Sequence, residues 1–488
     1  MTAARAACLA AALLVGCSQP PAVEASGVAT ARGAAACTGD AQCASGGPCR
    51  PGACRQGRCE QVAARPGAIP VEGQREGDCR RMTCGVGGEL MARLDPADVP
   101  ADDGNPCTRE LCDGETPGRQ PVAAGGACEA GVCNARGQCV GLVEIASGRY
   151  HVCLRQGDGE VRCWGAGERG QASGADESGM SDEPREVPGL SGASGLALGG
   201  NHSCALVGGE ARCWGANEHG QLGDGSTVDR QAPATVVGLT GVTALAAGLD
   251  TTCALTGRGQ VLCWGQGSNG QLGHGKRTPS ALPVVVKLPV PAVSPAGPVP
   301  RGAGPVQVSV GGAHACAVLT NGRVHCWGSN LHGQLGDGSG NDSATPVLVA
   351  GLDDASAVAA GRNHTCALRR DGTVWCWGWN PDGQLGLGHR DDRRRPEQVS
   401  GLTGVVEVAA GNGHSCARLS PGQVACWGWN RDGQATGSAG DDALSPVTLE
   451  TTRATHLALG SKHSCALVPK GGFTCWGANG RGQLGAAP

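Results

Sequence analysis

The chain has 488 residues and a net charge of −4, with 85 glycines and 28 cysteines but only one tyrosine and one phenylalanine. This length is too great for one ordinary hydrophobic core, so it predicts several domains or a repeat array. The charge balance lacks the basic footprint of a nucleic-acid-binding protein, and no nucleic-acid partner is expected.

The first residues have the pattern of an export signal. Arg5 precedes an apolar run from Ala6 to Val15, which is too short to span a bilayer but fits the core of a signal peptide. The following residues, Leu14-Val15-Gly16-Cys17, resemble the bacterial lipobox. That resemblance implies cleavage before Cys17 and a diacylglycerol on its thiol. Ordinary secretion with cleavage further on, for example after Ala25, is the alternative.

We therefore predict a bacterial lipoprotein with a signal peptide at residues 1–16 and a flexible tether at residues 17–36. Ser18 follows the lipobox cysteine, where Asp would favour inner-membrane retention in that class. The expected location is the outer membrane or the cell surface, outside the cytoplasm, with the membrane contacted through the lipid anchor.

Residues 37–139 contain twelve cysteines at short, irregular spacings and few apolar residues. In an exported chain this pattern predicts a disulfide-rich, mostly irregular module. Zinc is the competing interpretation, but paired x2 spacings and histidines are both missing from the segment. Calcium at Asp102, Asp103, Glu110 and Asp113 is a second alternative, although the spacing does not match an EF-hand loop. No metal and no cofactor are predicted.

Residues 140–488 contain a sequence unit that recurs seven times. Its second cysteine returns at intervals of 50, 50, 63, 50, 50 and 49 residues, a period typical of a propeller or solenoid of β units. Between the two cysteines of a unit lies a hairpin whose loop ends in Gly, as at Gly372. Such a hairpin places the cysteines opposite one another, within disulfide range. The predicted pairs are Cys153/Cys163, Cys204/Cys213, Cys253/Cys263, Cys316/Cys326, Cys366/Cys376, Cys416/Cys426 and Cys465/Cys475.

The second unit supports this pairing by compensation. Its cysteines, Cys204 and Cys213, are nine apart rather than ten, and its loop is the two-residue turn Gly208-Gly209. One residue fewer together with a shorter turn keeps the two sulfurs opposed.

The full unit reads roughly V-x-x-x-A-x-G-x-x-H-S-C-A-L, a hairpin, C-W-G-x-N-x-x-G-Q-L-G, a loop, and P-x-x-V-x-G-L. It resembles the regulator-of-chromosome-condensation repeat family over about residues 141–488. The resemblance implies an all-β, seven-bladed β-propeller, with the Trp after each second cysteine packed between blades. Two variants of the Q-L-G turn, at Gln171 and Gln434, depart from the pattern.

Two expectations concern the ring as a whole. The last unit lacks a P-x-x-V-x-G-L strand, and Val140-Gly141-Leu142 is a matching fragment, so the segment near Val140 is expected to complete the seventh blade. The third unit is longer, and its Pro-rich run from Pro289 to Pro305 is expected to be an exposed loop.

Several motifs admit a functional interpretation that repetition argues against. Six units carry a His two residues before the first cysteine, which could form a metal-binding ring but is expected to be structural packing. Two G-x-G-x-x-G matches, beginning at Gly165 and Gly265, are expected to be turns because no helix pattern follows. The histidines are His151, His202, His314, His364, His414 and His463.

Residues between C-W-G and G-Q vary from unit to unit, and variable loops on a fixed scaffold often carry recognition. Trp379 and Trp429 occupy this position in adjacent units, and Trp is favoured at binding hot spots. They are the candidate ligand-binding residues. Alternatively, they cover neighbouring blade edges.

The predicted function is that of a lipid-anchored, monomeric, non-enzymatic protein that binds an unknown protein or glycan outside the cytoplasm. The family resemblance also implies a second candidate, a secreted enzyme inhibitor, because a secreted bacterial member inhibits β-lactamases through loops on one rim. The nucleotide exchange performed by the eukaryotic member is not expected for an exported, disulfide-bonded chain. An extracellular polysaccharide-active enzyme is the third candidate, and it lacks a clustered acid/base pair in the sequence.

Overall fold

The computed structural model describes residues 38, 40–43, 45–56, 58–69, 74–122, 126–129, 131–172, 179–289 and 304–485. By compactness the chain divides into two units. One contains the described residues up to Ala101 together with Glu110–Gly118, and the other contains Asp102–Arg109 and the residues from Arg119 onward. The predicted signal peptide, the tether and Cys17 lie outside the described residues. The domain boundaries drawn from the sequence stay predictions.

The described part of residues 38–140 consists of short strands joined by turns, with one 3-10 turn at Asp40–Gln42. Strands β1 and β2 form a hairpin, as do β3 and β4, and β7, β8 and β9 form a small antiparallel sheet. The strands are β1 (Gly52–Arg55), β2 (Arg58–Gln61), β3 (Arg80–Cys84), β4 (Leu90–Leu94), β5 (Thr108–Asp113), β6 (Thr116–Pro121), β7 (Ala127–Cys128), β8 (Gly131–Cys133) and β9 (Cys139–Val140).

Disulfides link these strands at separations of 11 to 35 residues. Each one closes a loop in a segment that has few apolar side chains to stabilise it. Their connectivity is a structural result, because irregular spacings allow many pairings. Cys54 is also disulfide-bonded. The pairs with both partners described are Cys43–Cys59, Cys49–Cys84, Cys79–Cys112, Cys107–Cys133 and Cys128–Cys139.

The remainder of the chain is a seven-bladed β-propeller, as the repeat resemblance implied. In each blade the chain runs from an inner strand outward, and consecutive strands pair antiparallel. Blades 1 to 3 contain β10 (Leu142–Ser147), β11 (His151–Gln156), β12 (Val161–Ala166), β13 (Met180–Glu186); β14 (Ala193–Leu198), β15 (His202–Val207), β16 (Glu210–Gly215), β17 (Arg230–Thr235); and β18 (Val242–Ala247), β19 (Thr251–Thr256), β20 (Val261–Gly265), β21 (Ser280–Val285).

Blades 4 to 6 repeat this four-stranded order, and the described part of blade 7 has three strands. Their strands are β22 (Pro305–Val310), β23 (His314–Leu319), β24 (Val324–Gly328), β25 (Ser343–Leu348); β26 (Ala355–Ala360), β27 (His364–Arg369), β28 (Val374–Gly378), β29 (Arg393–Gln398); β30 (Val405–Ala410), β31 (His414–Leu419), β32 (Gln423–Gly428), β33 (Ala443–Arg453); and β34 (His456–Leu459), β35 (His463–Val468), β36 (Gly472–Gly477).

The cysteine hairpin has the predicted register. In blade 5, Cys366 lies opposite Cys376, the amide of Arg369 donates to the carbonyl of Thr373, and Gly372 closes the loop at φ +82°. In blade 2 the Gly208-Gly209 turn keeps Cys204 opposite Cys213. Loop length and strand register therefore compensate as the sequence predicts.

All seven hairpins carry a disulfide, with Cα–Cα distances of 4.0–4.1 Å. These distances are close to the spacing of a directly opposed, non-hydrogen-bonded pair. The bridges join the two central strands of each blade. They are Cys153–Cys163, Cys204–Cys213, Cys253–Cys263, Cys316–Cys326, Cys366–Cys376, Cys416–Cys426 and Cys465–Cys475.

Each blade is joined to the preceding blade by the Trp that follows its second cysteine. The indole Nε1 donates to a Gln backbone carbonyl of the preceding blade, at 2.8–3.1 Å in all seven interfaces. The variant turns at Gln171 and Gln434 keep this bond, with buried Ala172 and Ala435 where other blades have Leu. Burying six of these indoles completely gives a glycine-rich chain a packed core, to which Phe473 adds one ring 4.9 Å from that of Trp164.

Closure of the ring differs from the expectation. Val140 pairs with Val132 of β8, so the expectation that it completes the seventh blade is wrong. Val140-Gly141-Leu142 resembles the end of the P-x-x-V-x-G-L segment, but it leads into the inner strand of blade 1, which begins at Leu142. Glu144 on that strand pairs with Arg155 at 2.8 Å, as Glu407 pairs with Arg418 at 2.7 Å in blade 6.

Blade 7 instead packs directly on blade 1. The Trp164 indole donates to the carbonyl of Gln483, and the Ser461 amide donates to the carbonyl of Arg149. Most of the predicted Pro289–Pro305 loop lies outside the described residues, and Pro305 itself begins β22.

Candidate binding face

The two candidate tryptophans lie on one face of the propeller, at the ends of equivalent strands. Trp379 follows β28 in blade 5, and its amide donates to the carbonyl of Asn363 at 2.9 Å. Trp429 follows β32 in blade 6, and its amide donates to the carbonyl of Gly413 at 2.8 Å. The structure therefore places the two candidates at the same position of adjacent blades.

Trp379 is half-buried and contacts the preceding blade. Its ring centroid lies 5.8 Å from that of His332, and His332 Nδ1 lies 3.1 Å from the Asp392 carboxylate. Nearby, burial raises the pKa of the Asp382 carboxyl, and the charge of Asp442 adds to the rise. The surface around Trp379 thus combines an indole, an imidazole and carboxylates.

Trp429 is also half-buried and contacts the following blade. The Lys462 ammonium lies 4.9 Å from its ring centroid and 3.4 Å from the Asp432 carboxylate. These contacts agree in part with the alternative that the two tryptophans cover blade edges, because each indole contacts a side chain of an adjacent blade. They also pack against each ring, and binding hot spots are typically well packed.

A central depression of about 100 Å³ opens on the same face. It is surrounded by the turn that follows the inner strand of every blade, and the Asn363 and Gly413 carbonyls follow its lining residues Arg362 and Asn412. The wall is made by the ends of the inner strands, which are Ser147, Leu198, Ala247, Val310, Ala360, Ala410 and Leu459.

The mouth of the depression carries positive charge. Arg149 and Arg362 line it and are exposed, and neither has an ion-pair partner among the residues that the structure describes. No aspartate or glutamate is among the described lining residues. Asp250 lies just outside, where burial raises its pKa and Arg149 opposes that rise.

Sequence reasoning did not single out Arg149 and Arg362. The signal was available, because the residue after the turn glycine changes between units while the histidine after it recurs. A comparison of this position across the seven units, like the comparison made for the residues after C-W-G, would have found both arginines. The residues at this position are Arg149, Gly200, Leu249, Gly312, Arg362, Asn412 and Ser461.

The histidine ring has a structural role in the described chain. In five interfaces His Nε2 lies 2.8–2.9 Å from a Ser or Thr hydroxyl of the next blade, as His364 does from Ser415. Ser415 in turn donates to the carbonyl of Gln384, so His364 must donate through Nε2. Burial lowers the pKa of His364 to about 3 and that of His202 to about 4. These rings bind the blades together.

The paired cysteines of the blades belong to the scaffold and not to the binding face. In blades 1 to 6 both sulfurs of each bridge are buried in the apolar core, where they pack beside Val, Leu and Trp side chains. None of them lines the central depression. The second cysteines, which precede the interblade tryptophans, include the fully buried Cys163, Cys213, Cys263, Cys326, Cys376 and Cys426, whereas Cys475 is half-buried.

The remaining motifs are turns or disulfides in the described chain. Gly165 is the penultimate residue of β12 and Gly265 is the last residue of β20, and turns follow both strands, so neither G-x-G-x-x-G match opens a helix. Cys107, Cys128 and Cys139 bring their sulfurs within 4.8 Å of one another, but all three are disulfide-bonded. Asp102 and Asp103 accept backbone amides two residues on, as turn residues do.

The fold is a seven-bladed β-propeller, and this face presents two half-buried tryptophans beside a central depression. Comparison with family models matches the RCC1-like domain at residues 229–488 and the regulator of chromosome condensation (RCC1) repeat at residues 142–171. The chain therefore belongs to the RCC1-like domain family.

Individual relatives are distant. The human E3 ubiquitin-protein ligase HERC2 is 45% identical over 53 residues, which is 11% of this chain and 1% of that protein. Prp20p from Saccharomyces cerevisiae has 24% identity and a TM-score of 0.57, covering 72% of this chain and 85% of that one. Human WBSCR16 has 19% identity and a TM-score of 0.58, covering 81% and 94%. At such identities the solved structures show the fold alone.

Among the described residues, no helix is long and apolar enough to cross a membrane.

Proposed function

We propose that this chain is a lipid-anchored, extracytoplasmic binding protein that recognises a protein partner through the face bearing Trp379 and Trp429. The observation that carries the proposal is the contrast among tryptophans. Six indoles are fully buried between blades, whereas Trp379 and Trp429 are half-buried on one face beside the central depression. Partly exposed, well-held aromatic side chains beside a concave surface are typical of binding hot spots.

Protein recognition is also what the family supports. The solved structure of yeast Prp20p is reported with its binding properties to Gsp1p and histones, and yeast RCC1 (Prp20) is solved bound to Kap60. Those partners belong to the yeast protein. What is carried over to this chain is the use of a propeller for binding a protein.

The non-enzymatic part of the proposal is supported by the lining of the depression. A glycoside hydrolase typically uses two carboxylates that flank the bond it cleaves. The described lining offers two arginines, an asparagine and two serines instead, with no carboxylate. Asp442, whose charge helps to raise the pKa of Asp382, pairs with Arg390 at 2.9 Å. An inhibitor of a secreted enzyme would use the same face and remains a special case of the proposal.

The test is capture of partners from cell envelopes with the purified mature protein. The Trp379→Ala/Trp429→Ala double variant is expected to lose the partners that the parent recovers. Trp375→Ala is the matched control, because Trp375 is a half-buried indole at the other end of β28, about 13 Å away. Equal recovery by parent and double variant would refute the binding face.

Anchoring is tested separately. Cys17→Ser is expected to move the protein from the membrane fraction to the soluble fraction and to abolish incorporation of labelled palmitate. Retention of Cys17→Ser in the membrane fraction would refute the lipid anchor and leave the binding face untouched.

A further inference from the structure

The central depression combines two chemically different layers. Its wall is formed by inner-strand ends, of which Leu198, Val310 and Leu459 are only 7–9% exposed. Its mouth is formed by the turns that follow, where Arg149 and Arg362 are exposed. A ligand that enters along the propeller axis therefore meets guanidinium groups first and apolar side chains below them.

The positive charge at the mouth is only partly balanced by the described residues. Asp250 interacts with Arg149 from outside the lining. Lys462 adds a third cation near the mouth, and the Asp432 carboxylate pairs with it at 3.4 Å. Asn412 donates through Nδ2 to the Ser461 hydroxyl at 3.0 Å. Arg362 is thus a charged lining residue without an ion-pair partner among the described side chains. Charge complementarity therefore favours an anionic ligand.

We propose that the depression holds the C-terminal residue of a protein partner, with its aliphatic side chain against the wall and its α-carboxylate between Arg362 and Arg149. This ordering of groups selects a chain terminus. An Asp or Glu side chain entering the depression would carry its carboxylate past the arginines into the apolar layer, where an unpaired charge is costly. In a terminal residue the carboxylate is on the backbone and stays at the mouth.

The dimensions agree with one residue. The depression has a volume of about 100 Å³ and is lined by small and apolar strand ends, so it accepts one aliphatic side chain. The inference rests on the proposed function, because it specifies what the protein partner presents to the face. It does not depend on Trp379 or Trp429.

The experiment uses fluorescence anisotropy with the full mature protein and an N-terminally labelled pentapeptide, Gly-Gly-Ser-Gly-Leu. The peptide with a free C-terminus is expected to bind saturably, and its C-terminal amide about tenfold more weakly or worse, because a charge-assisted bond is lost. Arg362→Gln is expected to weaken binding of the free acid by a similar factor. Ala410→Leu, which fills the wall without altering charge, is expected to weaken both peptides.

The matched control is Arg390→Gln, because Arg390 is a surface arginine already paired with Asp442, and this variant should bind like the parent. Equal affinity for acid and amide, or no saturable binding of either, would overturn the proposal. Displacement of the peptide by oligogalacturonate at a lower concentration than by unlabelled peptide would overturn it in favour of an acidic glycan. None of these results touches the proposed function, which the Trp379 and Trp429 variants test.

Discussion

Blades 5 and 7 carry nearly the same sequence motif and differ in what surrounds it. In blade 5, Cys376 pairs with Glu397 of the fourth strand, and Trp377 is fully buried. In blade 7, no fourth strand pairs with β36 among the described residues, and Cys475 and Trp476 are half-buried. The burial of the motif is therefore supplied by the neighbouring strand, not by the motif itself.

The interface that follows blade 7 differs as well. His364 of blade 5 reaches the Ser415 hydroxyl at 2.9 Å, but His463 of blade 7 faces a blade whose equivalent residue is Val152. Both ring nitrogens of His463 are buried without a hydrogen-bond partner in the described chain. The interface between blades 7 and 1 therefore keeps the histidine of the repeat but lacks the hydroxyl that it bonds elsewhere, and the following experiments measure how much these differences matter.

The largest expected effect is loss of stability in acid. Burial lowers the pKa of His364, His414 and His151 to about 3, and that of His202, His314 and His463 to about 4, from 6.5. Between these values the unfolded chain binds more protons than the folded one, so stability is complete above about pH 6.5 and falls as the pH drops towards 3–4. Each histidine contributes on the order of a few kcal/mol.

Urea midpoints measured from pH 7 to pH 4 check this dependence. His364→Gln should show a shallower fall with pH than the parent, because one buried titrating group is removed. A midpoint that does not change between pH 7 and pH 4 would contradict the neutral histidine ring.

The next effect separates the two blades. Trp377→Ala removes a fully buried indole and its bond to Gln334, and should lower the free energy of unfolding by about 3–5 kcal/mol. Trp476→Ala removes a half-buried one and should cost clearly less. Denaturant unfolding under non-reducing conditions gives both values. Equal losses would show that covering the indole with a fourth strand adds little to the free energy of unfolding.

The disulfides should differ in access. Removing Cys366 and Cys376 together should cost roughly 2–3 kcal/mol, from the closure of a ten-residue loop. Under limiting reductant, the Cys465–Cys475 bridge should be alkylated before the Cys366–Cys376 bridge, because Cys475 is half-buried and both cysteines of blade 5 are buried. Peptide mass spectrometry gives the order, and earlier labelling of blade 5 would contradict it.

The smallest effect is a gain. Val152→Thr supplies His463 with the hydroxyl found in most blades and should stabilise the fold by about 1 kcal/mol. Ala315→Thr is the control, because the residue facing that position is Thr251 instead of a histidine. A gain no larger than that of the control would mean that His463 has no unmet hydrogen bond.

Much of the propeller was predictable because its information is local and repeated. The hairpin register follows from loop length and a glycine, which is why the pairing of Cys366 with Cys376 could be derived, and the compensating turn in blade 2 tested the rule within one chain. Seven copies also distinguish scaffold from variation, which is how Trp379 and Trp429 were found.

What was missed depends on contacts between distant segments. The role of Val140 could not be decided from a three-residue match, because the same letters fit an outer strand and the start of an inner one. Arg149 and Arg362 are 213 positions apart and line the same depression only when the ring closes. The pairing of the irregular cysteines in residues 37–139 has no repeat to constrain it.

The interlocking of Trp and Gln has a consequence for how this chain could be rearranged. Every blade offers an indole to one neighbour and a glutamine carbonyl to the other, and the junction of blade 7 with blade 1 uses the same pair, Trp164 and Gln483. With respect to this contact no blade is the first, so circular permutants cut between blades should form the same closed ring.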